Sequence, residues 1–75
     1  MQKNRDEDYL KKFGNKVREL REELKLSQME LGVRCNNHGE QIGRIERGEQ
    51  NPTICTAKEL AKGLEVRVSV LTDLD

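Results

Sequence analysis

The chain has no long run of apolar residues, and this absence sets the first limit on its class. No segment approaches the ~20 consecutive apolar residues that a membrane-spanning helix needs, and no apolar stretch typical of a signal peptide opens the chain. Of the 75 residues, 33% are hydrophobic and 37% are charged, so most of the surface must be solvated. We therefore expect a cytoplasmic protein without a membrane partner, built as one domain around one small core.

The chain also lacks net charge and most of the residue types that catalysis and metal binding use. Its 14 basic and 14 acidic residues cancel, which argues against a protein that coats nucleic acid by charge alone. His38 is the only histidine, so a zinc site with Cys35 and Cys55 has no evident fourth ligand. We expect no enzyme activity, no metal and no cofactor, and we interpret both cysteines as buried and reduced.

Apolar residues at helical spacing predict an all-α fold of five helices. Residues 1–8 are polar and charged, and we interpret them as a flexible arm before a domain of residues 9–75. The first helix is predicted to begin at Tyr9, with an inward stripe of Leu10, Phe13, Val17, Leu20 and Leu24. The fourth is predicted to follow a Thr53 cap, with a last short helix near residues 68–74. The inward residues of the fourth helix are Ile54, Ala57, Leu60, Ala61 and Leu64.

The middle of the chain predicts two short helices joined by a tight turn, which together form a helix-turn-helix unit. Ser27 and Glu30 fit a capping box that opens the second helix. The Asn36–Asn37 pair breaks this helix, because asparagine tolerates the left-handed conformation that a tight turn needs. The third helix is predicted over about 38–47, and Gly48 suits its C-terminal cap. The inward residues of the two helices are Leu31, Cys35, Ile42 and Ile45.

In these segments the chain resembles the lambda-repressor-like, or Xre-type, helix-turn-helix regulators. The matching segments are VRELREEL (17–24), LSQMEL (26–31), IGRIERGEQNP (42–52) and LAKGLEV (60–66). The resemblance covers residues 10–72 and implies a compact five-helix bundle. It also implies that a homodimer binds double-stranded operator DNA, with the third helix of each copy in the major groove and half-sites about one helical turn apart, ~34 Å.

The resemblance implies roles for individual residues. Gln28 matches a glutamine that holds a phosphate, the backbone around Asn51 and Thr53 matches a second phosphate contact, and Arg21 with Glu46 matches a buried ion pair. The positions that match the DNA-facing ones are His38, Gly39, Glu40, Gln41 and Arg44. Beyond the resemblance, Arg47 and Arg34 are further candidates for phosphate contacts, or else solvated surface cations.

The chemistry of Arg44 and Glu40 leaves one assignment open. The Arg44 guanidinium is able to bond O6 and N7 of a guanine together. Glu40, four residues earlier, is able to accept from a cytosine amine, to hold Arg44 in place, or to form only an ordinary solvated pair with it. If Asn37 caps the third helix, Glu40 instead completes a second capping box and turns toward the backbone.

Two glycines, Gly39 and Gly43, interrupt the third helix four residues apart, although glycine in a helix interior costs ~1 kcal/mol relative to alanine. We place both on the face toward DNA, where missing side chains let the backbone approach the groove. Near the C-terminus, apolar residues crowd the last ten positions. We expect Val66 and Leu71 to close the core, and a self-association patch to consist of Val68, Val70 and Leu74.

The sequence therefore favours a sequence-specific transcriptional regulator that acts as a homodimer on operator DNA. No small-molecule ligand is expected, because the chain has no room for a ligand-sensing domain. The alternative is a protein-interaction module, such as an antitoxin segment or an adaptor, that keeps the helix-turn-helix fold without reading DNA. Acidic side chains at Glu40 and Glu49, beside the presumed DNA face, motivate this second hypothesis.

Overall fold

Five α-helices follow one another along the chain, as the apolar spacing predicts. The computed structural model describes residues 5–36 and 39–74, and within these ranges it contains helices and turns but no strand. The helices are α1 (Arg5–Glu23), α2 (Gln28–Arg34), α3 (Gly39–Glu46), α4 (Ile54–Gly63) and α5 (Val68–Thr72). The predicted all-α class and five-helix bundle are confirmed. In the part of the chain that is described, no helix is long and apolar enough to cross a membrane.

Helix α1 begins earlier than predicted. It starts at Arg5, so residues 5–8 of the predicted flexible arm are helical, and residues 1–4 of that arm lie outside the described residues. The first turn contains Asp6, Glu7 and Asp8, whose negative charges interact favourably with the free N–H groups of a helix start. A polar, charged segment was therefore misinterpreted as an arm, because its acids are those that stabilise a helix N-terminus.

The caps that the sequence predicts within the described residues are present. The Ser27 hydroxyl accepts a hydrogen bond from the backbone N–H of Glu30 at 3.0 Å, and the Glu30 carboxylate accepts one from the N–H of Ser27 at 2.7 Å. These bonds lower the pKa of Glu30. The Thr53 hydroxyl caps α4 by accepting a hydrogen bond from the backbone N–H of Thr56 at 3.0 Å. Asn36 ends α2 with a φ of 56°, and Gly48 ends α3 with a φ of 75°, conformations that asparagine and glycine tolerate best.

The core lies between α1, α2 and α3 on one side and α4 and α5 on the other. Its buried apolar residues are Phe13, Val17, Leu31, Cys35, Ile42, Ile45, Ala57, Leu60, Ala61, Leu64 and Leu71, with Leu20, Leu26, Val66 and Leu74 partly buried against them. Two predictions of inward residues are wrong. Ile54 is 88% exposed because it occupies the first turn of α4, at the edge of the apolar stripe, and Leu24 is exposed because α1 ends at Glu23.

The two cysteines differ in environment, against the expectation that both are buried. Cys35 is buried beside Gly63, whereas Cys55 lies on the exposed side of α4. Neither forms a disulfide. Burial raises the pKa of the Cys35 thiol, so this residue behaves as a small apolar side chain of the core. Cys55 follows the exposed Ile54 in the same first turn, which explains why the prediction fails at both positions.

Candidate nucleic-acid interface

Helices α2 and α3 form the predicted helix-turn-helix, and they cross so closely that α3 carries glycine on the side that meets α2. A Cβ atom at Gly39 would lie 2.8 Å from Cα of Met29, and one at Gly43 would lie 3.2 Å from Oε1 of Gln28. Gly43 is buried. Their missing side chains therefore make room for α2, and the two residues share one face of the helix; that this face meets DNA stays a prediction.

The exposed side of α3 carries a cation and an anion. Nη2 of Arg44 lies 3.0 Å from Oε1 of Glu40, and these side chains are 55% and 77% exposed. Gln41, between them, is half-buried. The Glu40–Arg44 pair predicted from the i,i+4 spacing is thus present in an open position, where a pair contributes little to stability. His38, which the sequence placed on this face, and the possible Asn37 cap lie outside the described residues.

A second exposed arginine follows at the end of α3. Nε of Arg47 lies 2.8 Å from Oε2 of Glu49, and this contact raises the pKa of Arg47 and lowers the pKa of Glu49. Arg34, the other cation suggested for a phosphate contact, is used differently. It donates at 3.0 Å both to the carbonyl oxygen of Gly63 and to the Glu65 carboxylate, and so ties α2 to the end of α4.

Behind the exposed face, a buried ion pair fixes α3 to α1. Nε of Arg21 lies 2.6 Å from Oε2 of Glu46, and Nη2 of the same guanidinium lies 3.1 Å from Oε1. Nη1 also donates to the carbonyl oxygen of Leu26 at 2.7 Å. The side chain of Glu46 is 3% exposed and that of Arg21 is 12% exposed. The bond to Glu46 raises the pKa of Arg21, and two parallel N–H donors make this a bidentate pair.

The same carboxylate has a second partner residue that the sequence did not reveal. Nε2 of Gln28, the first residue of α2, donates to Oε1 of Glu46 at 3.1 Å. The residue expected to contact a phosphate is therefore linked to the residue expected only to stabilise the fold. Sequence spacing gave no signal for this contact, because it joins positions 18 residues apart through the crossing of two helices.

The loop between α3 and α4 brings the remaining predicted contacts to the start of α4. Asn51 and Thr53 are exposed, and the Thr53 hydroxyl is occupied in capping α4. The Thr53 hydroxyl is thus in use within the fold, and the phosphate contact of the backbone around Asn51 and Thr53 stays a prediction. Within the described residues, no group of three or more His, Cys, Asp and Glu side chains is placed to hold a metal ion.

The apolar residues of the C-terminus divide between core and surface. Leu71 is fully buried, and Val66 and Leu74 pack partly against the core. Val68 and Val70 are 42% and 39% exposed. Since successive helical residues are rotated by ~100°, Val68 and Val70 point to different sides of α5. The predicted three-residue patch is therefore reduced, with Leu74 contributing in part to the monomer core.

Comparisons with known proteins agree with this geometry. A helix-turn-helix family model, HTH_3, matches residues 17–71. The chain is 36% identical over 69 residues to an uncharacterized HTH-type transcriptional regulator, y4dJ, of Sinorhizobium fredii, and the match covers 91% of this chain and 90% of that protein. It is 31% identical over 58 residues to the immunity repressor of Bacillus phage phi105, covering 77% of this chain but only 40% of the repressor.

Solved structures show the same fold. The restriction-modification controller protein C.AhdI from Aeromonas hydrophila superposes with a TM-score of 0.81 at 34% identity, over 83% of this chain and 94% of that one. The P22 c2 repressor, solved in complex with a synthetic operator, superposes with a TM-score of 0.78 at 28% identity, over 84% of this chain and 96% of that one. The chain belongs to the lambda-repressor-like helix-turn-helix family of transcriptional regulators.

Proposed function

We propose that the protein binds a specific DNA operator as a homodimer, with α3 of each copy in the major groove. The observation that carries this proposal is the exposed Arg44 on the outer side of α3, a helix whose inner side is fixed to α1 by the buried ion pair of Arg21 and Glu46. A rigid helix with an exposed guanidinium has what direct readout of a guanine requires. The similarity to the P22 c2 repressor, solved with a synthetic operator, supports the same mode.

The other contacts divide into reading and positioning. The base readers would be the exposed Arg44 and the half-buried Gln41. Glu40 would either read a cytosine amine or orient Arg44 through their ion pair. Phosphates would be bound by Gln28, Arg47 and the backbone from Asn51 to Thr53. These phosphate contacts would set the register of α3 on the duplex. His38 and Gly39 stay candidates from the sequence, and the missing side chain of Gly39 also makes room for α2.

Replacing Arg44 with alanine should weaken binding to the selected operator by about 10- to 100-fold, because a bidentate arginine–guanine contact contributes ~1–3 kcal/mol of discrimination. In vitro selection from random duplexes would supply the operator, and fluorescence anisotropy would measure affinity at fixed salt. A matched control is Arg18→Ala, which removes an arginine from a similar exposed i,i+4 pair on α1. Enrichment of no sequence, or equal affinity of Arg44→Ala and wild type, would contradict the proposal.

The dimer would be tested at α5. Val70 is an exposed apolar residue of α5, so Val70→Asp should shift the protein toward monomer by placing a charge in an apolar contact. Sedimentation equilibrium would report the change, and binding to a two-half-site operator should weaken with it. Val33→Asp, at a more exposed apolar position on α2, is the control. A Val70→Asp protein that dimerises as the wild type does would exclude Val70 from the interface.

One observation favours the alternative, a protein-interaction module. Both arginines of the outer surface are paired with carboxylates, Arg44 with Glu40 and Arg47 with Glu49, and these pairs must open or rearrange before either cation meets DNA. If the protein binds a protein partner instead of reading DNA, selection should enrich no operator. A partner recovered by pull-down should then bind Arg44→Glu as well as it binds the wild type.

A further inference from the structure

The amide of Gln28, the carboxylate of Glu46 and the guanidinium of Arg21 form one chain of contacts from the start of α2 to α1. Oε1 of Glu46 accepts from both Nε2 of Gln28 and Nη2 of Arg21, each at 3.1 Å. Resting on the DNA-binding function proposed above, we infer that Glu46 is a positioning residue for the phosphate contact of Gln28, and that Arg21 and Gly43 make this role possible.

The first step concerns the orientation of the amide. A side-chain amide has a donor end and an acceptor end, and an ionised carboxylate accepts hydrogen bonds but donates none. Glu46 therefore bonds only the nitrogen end of Gln28, which determines how the amide is turned. One N–H of Gln28 is used on Glu46, and the second N–H is left for another acceptor. A phosphate oxygen, which also only accepts, fits this second N–H.

The second step concerns space. The amide of Gln28 lies directly over Gly43, since a Cβ at that position would be 3.2 Å from Oε1 and 3.5 Å from Nε2. Nη1 of Arg47 would also lie 3.2 Å from the same Cβ. Gly43 thus leaves a slot bordered by the Gln28 amide, whose oxygen is its nearer atom, and by the Arg47 guanidinium, which is a donor toward an anion. An alanine methyl would fill the slot and displace the amide.

The third step concerns charge. An unpaired carboxylate this close to a phosphate contact would repel the DNA backbone. Arg21 neutralises Glu46 through a nearly buried bidentate pair, so Glu46 is able to orient Gln28 without opposing the phosphate. The ion pair therefore has a function in binding in addition to its contribution to the fold.

A cycle of variants on the selected operator tests the inference. Gln28→Ala should weaken binding about tenfold or more, the effect of losing a hydrogen bond to a charged group. The double variant Arg21→Met/Glu46→Leu, which replaces the pair by apolar side chains, should weaken binding by a similar factor. Adding Gln28→Ala to that double variant should change affinity less than twofold, because the amide is already released. Circular dichroism would establish that each protein is folded at the assay temperature.

The outcomes are distinct. A folded double variant with wild-type affinity, or a tenfold effect of Gln28→Ala that persists in its background, would overturn the inference, because the ion pair would then be structural only. Val17→Ala, a core substitution that removes no polar group of the network, is the control for reduced stability and should bind as the wild type does. A wild-type protein that binds no selected operator would instead be a failure of the proposed function.

Gly43→Ala leaves the ion pair of Arg21 and Glu46 in place. It tests the positioning of the Gln28 amide even if the double variant does not fold. It should lower affinity severalfold, and the loss should vanish when Gln28→Ala is also present, since the methyl group acts through the amide. A loss that persists in the Gln28→Ala background would mean that the methyl group meets DNA directly. That result, or an unchanged affinity of Gly43→Ala, would contradict the role assigned to the slot.

Discussion

Replacing Glu46 with alanine is expected to lower the free energy of unfolding by about 3–5 kcal/mol, because it leaves the charge of Arg21 without its partner in a nearly dry site. A domain of this size has on the order of 4–11 kcal/mol of stability in total, so the variant should be at or near the limit of folding. The loss includes three hydrogen bonds to Glu46, two from Arg21 and one from Gln28. Urea unfolding followed by circular dichroism measures it.

The double variant Arg21→Met/Glu46→Leu distinguishes two contributions to the free energy of unfolding: the penalty for an unpaired buried charge and the net contribution of the ion pair. Because removing both charges also removes their desolvation, its stability should lie within about 1–2 kcal/mol of the wild type. The exposed pair is the matched control: Arg44→Ala or Glu40→Ala should each change stability by less than about 1 kcal/mol, since solvent screens that contact. If substitutions at the buried and the exposed ion pair changed the free energy of unfolding equally, burial would not be the reason for the large effect expected at Glu46.

Local signals in the sequence were sufficient for most of the fold. The Ser27 and Thr53 caps, the Gly48 turn and the apolar spacing of the helices each depend on residues within a few positions of one another, and the structure contains them. Errors occurred where periodicity was extended past a helix end, as at Leu24, and where polar composition was taken for absence of structure, as at residues 5–8.

The candidate site depended more on contacts between helices, and these were harder to predict. The resemblance paired Arg21 with Glu46, but only the crossing of α2 and α3 shows that Gln28 shares the carboxylate and that Gly39 and Gly43 face α2. A helical wheel shows that two residues share a face without showing what that face meets. For the same reason the sequence gave no role to Gly14, whose neighbours lie about 30 positions away.

At Gly14, α1 approaches the backbone at the end of α3 closely, and Gly14→Ala is expected to be strongly destabilising. A Cβ atom there would lie 2.5 Å from the carbonyl oxygen of Glu46 and would also overlap the carbonyl oxygen of Ile45. Both obstacles are backbone atoms at the end of α3, which cannot rotate away as side-chain tips do. The two helices must therefore separate, at the place where Glu46 meets Arg21.

Overpacking of this kind costs typically 1–3 kcal/mol and more where the backbone has to move, whereas alanine regains only ~1 kcal/mol of helix propensity over glycine. We expect a net loss of about 3 kcal/mol in the free energy of unfolding, measured by urea denaturation. The control makes the same chemical change where the neighbours are flexible: Gly43→Ala meets the side-chain ends of Gln28 and Arg47 and should alter stability by no more than about 1 kcal/mol.

The two glycine variants should therefore differ: Gly14→Ala should lose stability, whereas Gly43→Ala should lose affinity for DNA. Gly14→Ala should unfold at much lower urea concentration, and its loss of DNA binding should disappear when only the folded fraction is counted. Gly43→Ala should stay folded and lose affinity, because its methyl group displaces the amide of Gln28. If Gly14→Ala proves as stable as the wild type, α1 and α3 are able to separate without cost, and the close crossing that fixes the position of α3 would not be needed for the fold.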